Sequence, residues 1–253
     1  MNTAIITGTS SGLGTEFLDA VIEKYPDMEE IWILARRLDR LEKLKEKYPD
    51  RNIVPIRADL GNEKDYQNIA EMLEEKKPDI RILINNAGYE KSDQFSQMDT
   101  KAILNMIGIN IKGMTMIQRL CMPYMSRGSF SVITCSISSF VPVPHQAVYS
   151  ASKMYAYYLG KAIREEAKKD GINVLLLCPG NMNTEMNPKG SARQSKKINK
   201  LPFLDMKVLT RTALSKAEKG NGVYTPGGFY KFYRAMAGIL PSALMIKIIG
   251  NAY

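Results

Sequence analysis

Six short apolar runs, set apart by amphipathic stretches, constrain this chain more than any other feature. The runs are Thr3–Thr7, Glu30–Leu34, Asn52–Arg57, Arg81–Asn85, Ser129–Cys135 and Ile172–Cys178, with a weaker seventh at Gly222–Thr225. Between them, residues 12–24, 38–48, 63–76, 99–126 and 149–169 carry apolar side chains at helical spacing. Strand alternating with helix implies right-handed βαβ units and a parallel sheet covered on both faces. The expected fold is therefore α/β, a doubly wound parallel sheet of about seven strands with helices on both faces. No long repeat and no Pro/Ser-rich linker interrupts the pattern, so residues 1–253 are read as one domain.

Composition removes several chemistries. His145 is the only histidine, and Cys121, Cys135 and Cys178 lack metal-ligand spacing. Zinc sites and histidine-based triads are not expected, and the thiols read as reduced core residues. No apolar run approaches the roughly 18 residues that cross a bilayer. Met1 is followed almost at once by A-I-I-T with no basic leader, so no signal peptide and a cytoplasmic location are expected. The net charge of +9 favours anionic partners. In R-R-L-D-R-L-E-K-L-K-E-K, however, acids interleave with the bases, as on a solvated helix face. No nucleic-acid partner is expected; a phosphorylated cofactor would satisfy the same bias.

The first run leads into T-G-T-S-S-G-L-G, residues 7–14. Gly8, Gly12 and Gly14 permit a tight turn, and with Ser10, Ser11 and Leu13 they bring backbone N–H groups to a helix N-terminus, where a pyrophosphate binds well. At the end of the second run, Ala35 stands where an acid would hold ribose hydroxyls, and Arg36 and Arg37 follow. Two arginines suit a 2′-phosphate, so NADP(H) is the expected cofactor, with Arg36 the better placed; the plainer reading is that both begin a charged helix. Further on, V-Y-S-A-S-K sets Tyr149 and Lys153 four residues apart, on one helix face. An ammonium about 5 Å from a phenol, at an effective dielectric near 20, favours the phenolate by roughly 3 kcal/mol.

With these residues in view, the sequence resembles the short-chain dehydrogenase/reductase family, a Rossmann-type fold. The resemblance is to its classical, NADP-preferring branch with a C-terminal helical extension, and it runs through nearly the whole chain. Its glycine motif appears at Thr7–Gly14, its acid for the adenine at Asp59 before Leu60, and N-N-A-G at Asn85–Gly88, with Asn86, Ala87 and Gly88 on the cofactor. The helix asparagine matches Asn110, the serine Ser136 (with Ser138 as the alternative), and Y-x-x-x-K is Tyr149 to Lys153. The P-G segment supplies Pro179, Gly180, Met182 and Thr184. The resemblance implies an NADPH-dependent oxidoreductase that interconverts a carbonyl and a secondary alcohol. In it, Tyr149 exchanges the proton, Ser136 binds the substrate oxygen, Lys153 lowers the tyrosine pKa and holds a ribose, Asn110 positions a relay water, and Thr184 holds the carboxamide. A cofactor-sensing protein without catalysis is the alternative.

The chain departs from the common pattern in two places. Residues 226–253 extend past the seventh run, and their apolar stretch could pack in the core or cleft, form an oligomer contact or rest on a membrane surface. A homodimer is expected. Residues 185–205 fall where the family has its substrate lid and carry Lys189, Arg193, Lys196, Lys197 and Lys200. Tyr89, Phe140, Val141, Val143, Met182 and Met186 are candidate pocket walls, which leans toward a hydrophobic acyl, steroid or aromatic ketone.

Overall fold

The computed structural model describes residues 1–185, 188 and 201–250. Met186 and the basic residues from Lys189 to Lys200 lie outside them. Seven strands form one sheet: β1 Asn2–Thr7, β2 Glu30–Ala35, β3 Ile53–Arg57, β4 Asp79–Asn85, β5 Phe130–Thr134, β6 Asn173–Leu177 and β7 Val223–Tyr224. Their order is β3-β2-β1-β4-β5-β6-β7, and every pairing is parallel. Side chains alternate across each strand, and both faces are apolar. Ala4, Ile6, Ile31, Ile33, Ile82 and Ile84 enter one core; Ile5, Trp32, Leu34 and Leu83 enter the other.

Three helices cover the first face: α1 Leu13–Lys24, α2 Leu38–Lys47 and α7 Met206–Glu218. The second is covered by α3 Glu63–Lys76, α5 Met114–Cys121 and α6 Ala147–Ala167, while the short α4 Thr100–Met106 precedes α5. The segments expected from sequence leave α7 out. Its apolar stripe is built largely on small residues, with Leu209 and Leu214 beside Ala213 and Ala217, so its helical period is faint until α1 packs against it. Asp205 caps it, accepting from the N–H groups of Lys207 and Val208.

The single helix expected over 99–126 is broken. A π-helical stretch, Ile107–Gly113, separates α4 from α5, and a 3₁₀ turn follows at Met122–Tyr124. Such stretches concentrate at functional sites, and this one carries Asn110 inward, 2% exposed. All three cysteines are free and buried, and burial pushes the Cys121 thiol up to about 12.

The extension forms α8 Gly228–Ile239 and α9 Ser242–Gly250. Tyr230 is fully buried, donates to the Pro202 carbonyl at 2.6 Å and accepts from the Asn181 N–H at 3.1 Å. The extension thus braces the loop after β6, while Phe229, Phe232, Ile239, Leu244 and Ile248 face outward. No helix among the described residues is long and apolar enough to cross a membrane.

Candidate active site

The chain runs outward from β1 to β3, then crosses back to β4, so the strand order reverses between β1 and β4. A crevice opens there at the carboxyl ends of the strands. The cleft measures about 970 Å³ and reaches from the glycine loop to α6.

Short-range chemistry builds its first wall. Gly8 and Gly12 adopt φ of 73° and 56°, in the left-handed region. The Gly8 N–H donates to the Leu34 carbonyl at 2.8 Å, and the Thr9 hydroxyl to the Ile6 carbonyl at 2.8 Å. Thr7 Oγ1 accepts from the N–H groups of Asn86 and Ala87, both at 3.0 Å, which binds the glycine loop to the segment after β4. Gly8, Ser10, Ser11, Gly12 and Leu13 line the cleft, as do Asp59, Leu60, Asn86, Ala87, Gly88, Pro179, Gly180, Met182 and Thr184. Gly14 is buried behind them, under the turn.

Arg36 and Arg37 both line the cleft but differ in setting. Arg36 is exposed. Arg37 folds onto the glycine loop and donates to Ser10 Oγ at 3.0 Å and Ser11 Oγ at 3.1 Å. Arg40, one turn along α2 and not named from the sequence, donates to the Ser10 carbonyl at 3.3 Å. Glu185 joins both guanidiniums, at 3.0 Å to Arg37 and 2.5 Å to Arg40, and Arg40 and then Arg37 hold its carboxyl below the ordinary range. The resulting cationic nook beside two serine hydroxyls fits a phosphate ester.

Ser136, Ser138, Tyr149 and Lys153 line the other end. Ser136 caps the 3₁₀ turn Ile137–Ser139, and its Oγ accepts the Ser138 N–H at 3.1 Å. The Ser138 hydroxyl donates to Gln146 Oε1 at 3.4 Å. Among the described residues nothing accepts the Ser136 proton, so Ser136 rather than Ser138 has a hydrogen to offer. Lys153 Nζ lies 5.8 Å from the Tyr149 ring centroid and donates to the Thr134 carbonyl at 2.9 Å. Burial, the largest influence, pushes the Lys153 ammonium down from its ordinary value, while Cys135, Glu90 and Cys178 pull it up. A methyl on Gly88 would sit 3.3 Å from Lys153 Nζ and 3.6 Å from Asn110 Oδ1, so Gly88 stands at the junction of these two side chains. Asn110 sits just behind the lining. Its Oδ1 accepts the Tyr89 N–H at 2.8 Å, and its Nδ2 donates to the Tyr89 carbonyl at 2.9 Å and to Ser152 Oγ at 3.0 Å.

Tyr89 and Met182 reach the cleft, but Phe140, Val141 and Val143 are absent from its lining. The turn at Ile137–Ser139 carries them away from it. Phe140 packs edge-on against Tyr157 at 5.4 Å with Arg234 over its ring, and Val141 and Val143 are 2% and 4% exposed. In their place stand the polar residues Glu90, Ser92 and Gln146, which the sequence reading does not name. Gln146 had a local signal, being one helical turn before Tyr149; Glu90 had none.

The family model for short chain dehydrogenases matches residues 2–195. A very-long-chain 3-oxoacyl-CoA reductase from Neurospora crassa is 28% identical over 230 residues, which are 88% of this chain and 68% of that protein. An uncharacterized oxidoreductase from Staphylococcus saprophyticus is 28% identical over 196 residues, 76% and 78% of the two chains. Among solved structures, a short-chain dehydrogenase from Sphingobium yanoikuyae in complex with NADPH matches with a TM-score of 0.79 at 25% identity. The match covers 97% of this chain and 95% of that one.

Proposed function

The chain belongs to the short chain dehydrogenase family of oxidoreductases, and from that premise we propose that it interconverts a carbonyl and a secondary alcohol with NADP(H). One observation carries the reading: Ser136, Tyr149 and Lys153 converge at one end of a cleft whose other end is the glycine loop with Arg37 and Arg40. The glycine loop and the first turn of α1 would hold the pyrophosphate, Arg37 and Arg40 the 2′-phosphate, Asp59 the adenine, and Thr184 the carboxamide. Binding of NADPH by the Sphingobium protein supports this choice. When bound, the cofactor supplies the hydride.

The remaining work falls to this chain. Ser136 donates to the substrate oxygen and fixes its position. Tyr149 delivers the proton to that oxygen, or removes it in the reverse direction. The Lys153 ammonium, 5.8 Å from the Tyr149 ring centroid, favours the phenolate over the phenol. Asn110 positions Tyr89, which forms part of the substrate wall. The apolar surfaces of Tyr89 and Met182 suit a hydrophobic ketone, and the Neurospora relative is named for reduction of a 3-oxoacyl chain.

The test is NADPH oxidation across a panel of ketones and aldehydes, with NADH as control. Arg37→Ala and Arg40→Ala are each expected to weaken NADPH binding roughly tenfold or more, with NADH binding nearly unchanged, because only the 2′-phosphate is lost as a partner. Equal losses for both cofactors would remove the phosphate assignment. Tight NADPH binding without oxidation by any carbonyl would favour a cofactor sensor.

A homodimer completes the reading. Leu104, Ile107 and Tyr158 are 64%, 43% and 66% exposed on neighbouring helical segments, an apolar surface suited to a second copy. Light scattering is expected to give twice the chain mass; a monomer at all concentrations would exclude it.

A further inference from the structure

Glu90 is a carboxylate where the sequence led one to expect an apolar wall. It lines the cleft together with Ser136, Ser138 and Tyr149, and its backbone is held from both sides. On one side, the Asn110 amide takes both the N–H and the carbonyl of Tyr89, at 2.8 and 2.9 Å. On the other, the Asp93 N–H donates to the His145 carbonyl at 2.8 Å. His145, at φ 62°, turns the chain into the first residues of α6.

The side chain is equally fixed. Glu90 Oε1 accepts from Gln146 Nε2 at 2.5 Å and from Ser92 Oγ at 3.2 Å. Gln146, 6% exposed, also donates to Ser92 Oγ at 3.2 Å and receives the Ser138 hydroxyl on its other end, so a turned amide would set its oxygen against the Glu90 carboxylate. Among the described residues Glu90 has no ion pair; it is held by neutral donors alone. Burial raises its carboxyl above the ordinary value, opposed by the Ser92 hydrogen bond and by the charge of Lys153. A partly desolvated carboxylate with one oxygen used twice and no cation lacks a donor. Gln146 lies three residues before Tyr149 at the start of α6, and the carboxylate it holds lines the same cleft as Ser136 and Tyr149.

We infer that Glu90 is the substrate-recognition group, accepting a hydrogen bond from a hydroxyl or ammonium that the substrate carries near its carbonyl. This rests on the carbonyl-reductase reading above and narrows it to hydroxy- or amino-substituted carbonyl compounds whose apolar remainder lies along Tyr89 and Met182. Gln146 acts as a positioning residue, fixing the carboxylate through its amide.

The experiment compares three probes of similar size, propiophenone, 2-hydroxyacetophenone and 2-aminoacetophenone, with the wild type, Glu90→Leu and Glu90→Gln, each with NADPH. The wild type is expected to favour at least one donor-bearing probe over propiophenone by roughly tenfold or more in kcat/KM, chiefly through KM, because a site built to bind a donor discriminates against its absence. In Glu90→Leu that ratio should fall to about one. Glu90→Gln keeps the shape and the Gln146 bond, and should retain the hydroxyl preference while losing any ammonium preference. A wild-type ratio near one, or a ratio unchanged in Glu90→Leu, would overturn the inference. If the wild type reduces none of the three nor any other carbonyl while binding NADPH, the carbonyl-reductase reading has failed instead. NADPH affinity and thermal unfolding of each variant separate a lost recognition group from a lost fold.

Discussion

Tyr149→Phe is expected to lower turnover by roughly a thousandfold, about 4 kcal/mol of transition-state stabilisation, while the NADPH dissociation constant stays within about twofold. The substitution removes only the phenolic oxygen. The ring stays on α6, 5.8 Å from Lys153 Nζ, and Lys153 keeps its bond to the Thr134 carbonyl. Ser136 still has a proton for the substrate oxygen, so substrate should still bind, but nothing at that place in the cleft can supply the proton that the reduced oxygen takes up. The loss should therefore appear in kcat more than in KM. NADPH fluorescence titration and steady-state oxidation measure the two halves separately. Retained turnover would remove Tyr149 from the chemistry.

Gly14→Ala should instead damage the fold and cofactor binding together. An added methyl would lie 2.7 Å from the Gly8 carbonyl carbon and 2.9 Å from Thr9 Cα, with the Gly8 oxygen closer still. All of these are backbone atoms, so no side-chain rotation relieves the contact. Either the glycine turn opens or the first turn of α1 moves away from β1. We expect a loss of about 2 kcal/mol or more, a fall in Tm of roughly 4 °C or more, and NADPH binding weakened at least about tenfold. Gly238→Ala is the control. It lies inside α8 with nothing within 4 Å of an added Cβ, so helix propensity alone should make it neutral or stabilising by up to about 1 kcal/mol. Equal melting temperatures for Gly14→Ala and the wild type would mean that the turn tolerates a methyl.

The alternation of apolar runs with helical stretches was legible because it is a local property of backbone and side chain. Buried parallel strands must be apolar along their length, and each expected run lies within two residues of its strand. Two helical features were harder to see. The period of α7 rests on alanines, and the π-helical Ile107–Gly113 has no composition of its own: Gly113 sits where the Leu60 carbonyl comes within 2.6 Å of an added methyl. Close packing of two segments sets that geometry, and each segment read alone is an ordinary helix or loop.

The sequence by itself determined the sheet, the helices between its first six strands in outline, and the residues that line one cleft from six stretches of chain: the glycine loop, Asp59, Asn86–Gly88, Ser136, Tyr149 with Lys153, and Pro179–Thr184. Fixed spacings carry that information, since a glycine turn at a helix start or two groups at i and i+4 specify geometry within a few residues. Only the tertiary structure decided that Arg37 and Arg40, rather than Arg36, meet the glycine loop, and that Phe140 and Val143 turn into the packing around α6. It alone set Glu90 on Gln146, in the same cleft as Tyr149. These choices depend on which side chains from distant segments fill the same space, and on the hydrogen bonds a buried polar group must find once it is there.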